Sequence, residues 1–297
     1  MKRRLTALFL TLAMCSALLL TACGGNNDTP PANNGGDQQT TQPSDGDAET
    51  PTNNPAKNTL VIRIDGDPKS FNPTLISDDN LYKPAQNIYN RLTQLDSSKQ
   101  VIPDAAESWD VSDDALTITW HLREGMKWHD GEALDAEDVK YTFDYVKEHP
   151  ETYFSTSMSI VDSIEIIDPL TVAFHMNTPD VSFVARIGWY GTFILPEHIF
   201  NNGQNWEDNP ASTTPTVGSG PYKFESYSQG SSITLTANPD YVGGAPKIEK
   251  LIFSIIPDDA TAMQALLNGE VDYVEMVPDA YVDQFLQEPS LRLDLDK

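Results

Sequence analysis

Residues 104–143 read DAAESWDVSDDALTITWHLREGMKWHDGEALDAEDVKYTF, and the reading of this stretch decides the fold class. It is expected to hold a helix end, a turn, a strand, an ordered loop and a capped helix. Ser112, Asp113 and Asp114 are turn formers whose side chains bond their own backbone. The segment 116–123 then alternates, with Leu116, Ile118, Trp120 and Leu122 on one face and Thr117, Thr119, His121 and Arg123 on the other. That period of two predicts a strand with one buried face. After Gly125 the chain turns at Trp128-His129-Asp130-Gly131, and a helix begins with Asp135 as cap. Leu134 and Val139 flank the cap as a hydrophobic staple, and Glu137 and Asp138 place negative charge in the positive first turn.

Upstream, residues 1–22 combine the basic start Lys2-Arg3-Arg4 with an apolar run too short, and too rich in small residues at its end, for a membrane span. This is an export signal. Its end, Leu20-Thr21-Ala22-Cys23-Gly24, resembles the lipobox of bacterial lipoproteins, which implies cleavage before Cys23 and acylation of that residue. Of the two cysteines, Cys15 leaves with the signal and Cys23 carries lipid, so the expected mature chain has no disulfide, no cysteine nucleophile and no thiolate metal site. Residues 24–58 are mostly Gly, Asn, Asp, Gln, Thr and Pro and bury too little to repay ordering. Together with Cys23 they read as a disordered linker over 23–58, with an end-to-end distance of roughly 33 Å.

Loss of the three basic residues of the signal takes the formal charge from −25 to −28. Such a chain is repelled by phosphate backbones and anionic lipid heads, which argues against nucleic acid as a partner and makes the lipid the membrane link. The remaining length suggests more than one domain.

Strands are predicted at 59–65, on both sides of Asp168-Pro169 within 161–176, at 222–227, 233–237, 247–256, 271–274 and 291–295. The 161–176 hairpin is expected to pair with the 116–123 strand. Leu81, Ala85, Ile88, Tyr89 and Leu92 form a helical stripe, in which Pro84 is tolerable only near the first turn. A second helix, capped by Asp258 or Asp259, carries Met263, Leu266 and Leu267 to Gly269, and a short one covers 278–287. Gly218-Ser219-Gly220-Pro221 suggests close chain approach. Strand, helix, strand order in this half argues for a mixed sheet with helices on its faces.

The 104–143 stretch, with GSGPYKFESY, ITLTANPDYVGGAPKIEKLIF and ALLNGEVDYVE, resembles the family 5 extracellular solute-binding proteins of ABC transporters, the oligopeptide and dipeptide binders. The resemblance covers the chain from Thr59 onward. It implies an α/β, two-lobed, type II periplasmic-binding-protein-like fold of mixed sheets with flanking helices, in which residues 59–95 and 188–276 build a discontinuous first domain. Residues 96–187 would be an inserted second domain, and 277–297 the start of a third domain whose lobe is largely missing. It also implies an exported, lipid-anchored, monomeric protein on the outer face of the cytoplasmic membrane or in the periplasm. Such a protein captures a peptide or other small solute, passes it to a membrane permease, and is not an enzyme.

By the same resemblance, one cleft wall is Ser77, Asp78, Asp79 and Asn80, the floor holds Trp189 and Tyr190, and the hinge edge is Glu275, Met276 and Val277. These residues also admit structural roles: the acids as helix caps, Trp189 as core, Glu275 as a solvated strand end. A secreted acidic glycoside hydrolase is the alternative, but Asp78-Asp79, Asp113-Asp114 and Asp258-Asp259 are adjacent carboxylates, whereas a glycosidase needs acids facing across a substrate. No GxSxG elbow and no HExxH occur, and His121, His129, His149, His175 and His198 are scattered, so no catalytic residue, metal or cofactor is expected. A non-transport surface-binding lipoprotein leaves the cleft motifs without a role.

Overall fold

The computed structural model describes residues 58–189, 192–215 and 217–294. The export signal, Cys23, the linker as far as residue 57, Tyr190 and Leu295 lie outside the described residues.

The described chain begins with β1 (Thr59–Ile64), α1 (Asp79–Ile88), β2 (Thr93–Leu95), β3 (Val101–Pro103), β4 (Ala106–Val111) and β5 (Thr117–Leu122). It continues through α2 (Ala136–Glu148), α3 (Ser155–Met158), β6 (Val161–Asp168), β7 (Thr171–Met176), α4 (Phe183–Gly188) and α5 (Glu197–Phe200). Then come β8 (Tyr222–Ser228), β9 (Ser232–Ala237), β10 (Lys250–Ile255), α6 (Asp259–Leu267) and α7 (Asp279–Phe285). Two four-stranded sheets result. One has the order β1-β10-β9-β8, with β1 parallel to β10 and the rest antiparallel. The other, β4-β5-β7-β6, is antiparallel throughout, and β2 pairs with β3 separately.

The alternation in β5 explains the second sheet. Ile118, Trp120 and Leu122 are buried, and Ile118 lies opposite Phe174 of β7, as the predicted pairing requires. Phe174 sits edge-on to Trp120 at 6.0 Å and to Phe143 of α2 at 5.2 Å, so the apolar face of α2 closes over that sheet. Helix α2 starts as its sequence dictates: Asp135 accepts from the Glu137 amide at 2.9 Å, and Asp138 accepts from the Asp135 amide at 3.1 Å. Asp138 does more than complement the dipole. It also takes the Trp128 indole at 3.0 Å and the Glu197 amide at 2.8 Å, and burial pushes its carboxyl above the usual range despite these bonds.

One core runs through both large sheets, from Ile64, Leu251 and Phe253 to Trp120, Phe143 and Phe174. A smaller one joins Met263, Val271, Val274 and Phe285 under α6 and α7. Among the described residues no helix is long and apolar enough to cross a membrane.

Four local expectations change. The segment ahead of the Ser112-Asp113-Asp114 turn is the strand β4, not a helix end, because β5 offers it a ladder that its own poor alternation does not advertise. The 271–274 segment forms only a single parallel bridge, Tyr273 to Ile62, since its neighbouring side chains turn into the smaller core. No strand forms over 291–294, which pair with no strand among the described residues. Pro84 sits well inside α1, not in its first turn, and the helix persists because Leu81, Tyr82, Ala85 and Ile88 are buried around it.

Candidate functional site

Helix α1 is fastened at both ends. At its start Asp78 is the cap, accepting from the Asn80 amide at 3.0 Å and from the Lys69 amide at 2.8 Å. Asn80 accepts from the Asp65 amide at 3.1 Å, which ties the helix to the chain leaving β1. These two side chains thus build the loop, while Ser77 and Asp79 are exposed beside them.

At its end, the Ile88 carbonyl accepts from the Gly220 amide at 2.7 Å. The approach is so close that a Cβ on Gly218 would stand 2.2 Å from the Ile88 oxygen, and one on Gly220 would stand 2.5 Å from the Asn87 oxygen. His129 clasps the same loop. Its amide donates to the Gly218 carbonyl at 2.7 Å, its Nδ1 accepts from the Gly218 amide at 3.1 Å, and its Nε2 donates to the Gly220 carbonyl at 3.0 Å. One ring nitrogen accepts and the other donates, so the imidazole is neutral, and burial depresses its pKa to about 4. Asn90, whose amide donates to the Ser219 hydroxyl at 3.1 Å, gives its side chain to buried Asp104 at 2.5 Å; Asp104 also accepts from the Arg91 amide at 2.8 Å, and burial pushes its carboxyl up.

Between these fastenings, the outer side of α1 and the segment after Val271 enclose a depression of about 150 Å³, lined by Ile62, Lys83, Gln86, Asn87, Phe253, Tyr273 and Glu275. Lys83 and Glu275 form an ion pair at 2.6 Å across it. Ile62 and Phe253 are register partners on β1 and β10 and make its floor, while Tyr273 stands half exposed at its rim. The depression therefore offers an apolar floor, two amide side chains and one charge of each sign.

Of the residues expected at a site, the structure brings Glu275 into this depression and sets the Asp78–Asn80 turn at the head of the same helix. Met276 is exposed, and Val277 packs on the smaller core. Trp189 is 48 % exposed, so it is not a core residue, and its carbonyl accepts from Arg91 at 2.5 Å beyond the far end of α1. Lys83, Gln86, Asn87 and Tyr273 were not singled out from sequence. The signal was present, since positions 83, 86 and 87 lie off the apolar stripe of α1, but a polar helix face alone does not distinguish lining from solvent.

A larger groove of about 350 Å³ lies along α2, lined by Glu137, Lys140, Tyr141, Asp144, Tyr145, Glu148 and Glu197. Its groups are largely committed: Tyr141 and Tyr145 hydroxyls accept from the Trp206 indole and amide, and Lys140 pairs with Asp144. His121 and His175 pair with Asp110 and Glu165 across the second sheet, and neither lines the groove along α2 or the depression beside α1. Among the described residues no group of three or more His, Cys, Asp or Glu is placed to hold a metal.

Residues 100–296 match the family described as bacterial extracellular solute-binding proteins, family 5 middle. The chain belongs to that family. The dipeptide-binding protein of Escherichia coli K12 is 29% identical over 255 residues, which are 79% of this chain and 48% of that protein. The oligopeptide-binding protein AppA of Bacillus subtilis, solved with a nonapeptide, aligns with a TM-score of 0.71 at 29% identity, covering 76% of this chain and 45% of that one. NikZ of Campylobacter jejuni, solved with Ni(L-His), aligns at 0.71 with 27% identity over 78% of this chain and 46% of that one. The family member described here thus has the mixed α/β fold of periplasmic binding proteins and spans about half the length of the curated relatives it matches. Its relatives are named for binding, not catalysis.

Proposed function

We propose that this protein captures short peptides outside the cytoplasm and delivers them to the membrane permease of an ABC importer, held to the membrane by lipid on Cys23. The observation that carries the reading is the family match over residues 100–296, taken with relatives named for dipeptides and oligopeptides. In this reading residues 59–95 and 188–276 form one domain, 96–187 an inserted second and 277–297 the opening of a third. The same reading assigns the 77–80 turn, Trp189 and the 275–277 segment to the ligand cleft of a monomer. A peptide held in extended form would satisfy its backbone on protein groups and leave its side chains hydrated, which allows varied sequences.

A thermal-shift screen of the full-length gene product tests it. A ligand bound only by the native state adds about 2.7 kcal/mol at a hundredfold excess over its dissociation constant. Di- to nonapeptides are expected to raise Tm. A rise with sugars or nickel–histidine and none with peptides would overturn the peptide reading. For the anchor, Cys23→Ala is expected to move the protein from the membrane fraction to the soluble one.

A further inference from the structure

We infer that Asn202 is a self-modification site, where the Gly203 backbone nitrogen displaces the side-chain amide as ammonia, while the fold protects the same dipeptide at Asn268-Gly269. This does not depend on the peptide reading.

Asn-Gly pairs stand at 34–35, 202–203 and 268–269, the first outside the described residues. The dipeptide is suited to cyclisation because glycine puts no Cβ beside the attacking nitrogen and leaves the backbone free to turn. In the reaction the glycine amide gives its proton to solvent base and its nitrogen bonds the asparagine Cγ. The Cγ–Nδ2 bond then breaks, and Nδ2 takes a proton from water and leaves as ammonia. Water opens the five-membered succinimide, at Cγ to give aspartate or at the main-chain carbonyl to give isoaspartate.

The turn at 202–204 leaves each reacting atom available. The Gly203 amide donates to no group among the described residues, and a Cβ added at Gly203, where φ is +80°, would meet nothing within 4 Å. Asn202 Oδ1 accepts from the Gln204 amide at 3.0 Å. That bond folds the side-chain carbonyl back along the 202–203 peptide and puts a donor on the oxygen where negative charge grows as Cγ is attacked. The leaving nitrogen, Nδ2, is held only by the Gln204 side-chain oxygen at 3.3 Å, and all three residues are exposed to the water that completes the reaction.

At 268–269 the equivalent atoms are committed. The Gly269 amide donates to the Leu266 carbonyl at 3.1 Å and finishes α6, so the nucleophile is tied into the helix end. Asn268 Oδ1 accepts from Gln264 Nε2 at 2.9 Å, and its Nδ2 donates to Glu270 Oε1 at 3.1 Å, which pins both ends of the side-chain amide. Exposure and sequence are alike at the two sites, and the hydrogen bonds set them apart.

Peptide mapping by mass spectrometry tests this on the whole chain, aged at neutral pH and body temperature. Asn202 is expected to gain one mass unit at least about tenfold faster than Asn268, the protection at Asn268 being what its local structure confers. Both aspartate and isoaspartate should be recovered at 202, as a ring intermediate requires. In guanidinium chloride, where neither pair keeps its hydrogen bonds, the two rates should converge. Equal rates in the folded protein, faster loss at Asn268, or a difference that persists undiminished in denaturant would overturn the assignment, and aspartate alone at 202 would overturn the cyclic route.

Discussion

Acid should loosen this protein through His129, and the structure sets the size of the effect. The folded imidazole is neutral with a pKa depressed to about 4, while in the unfolded chain it returns to about 6.5. Because the unfolded state binds the extra proton, stability is fully present above pH 6.5 and is lost as pH falls toward 4. A single group with these two values removes about 2 kcal/mol between pH 7 and pH 5. For a chain of this size that is roughly 4–8 °C in Tm. Buried Asp104 and Asp138, whose pKa values are raised, titrate with the opposite sign, so the measurement must isolate the histidine. Urea unfolding of the protein and of His129→Gln, each at pH 7 and pH 5, does this by difference. The variant is expected to be less stable at pH 7, having lost the two ring bonds to the 218–220 loop, and to show a drop on acidification smaller by about 2 kcal/mol. An identical drop in both proteins would refute the neutral, doubly bonded imidazole.

Gly218→Ala is expected to cost about 3 kcal/mol or more in urea unfolding, since the new Cβ meets a backbone oxygen that cannot give way. Asp135→Ala removes the cap of α2 and half of its capping box, and should lower stability by about 1 kcal/mol, with enhanced amide exchange confined to the first turn of that helix. Asp79→Asn, at an exposed first-turn position of α1, should change stability by less than about 0.5 kcal/mol.

What the sequence discloses follows from how local each signal is. The Asp135 cap, the β5 alternation and the hairpin at Asp168-Pro169 are written within a few residues, and all three form as expected. Strand β4 is not, because its pattern AESWDV buries little and its conformation is set by β5 across the turn. The same holds at the site. Glu275 was indicated by resemblance, but Lys83 acquires its meaning only from a contact with a residue far along the chain. His129 shows the reverse: it stood in a conspicuous Trp-His-Asp-Gly turn that invites chemistry, and its nitrogens are spent on the glycine loop.

Pro84 gives α1 a seam. With no amide at position 84, nothing there can donate to the Asn80 carbonyl, so one of the rungs between the first turn and the rest of the helix is missing. The two halves are then held by different anchors, the Asp78 cap before the seam and the Gly218–Gly220 contact after it. Lys83 is the last residue on the first half. The Lys83 side chain therefore hangs on the half that Asp78 holds, while the Ile88 half is seated independently against the glycines, so a proline in an unexpected place divides one short helix between two anchors.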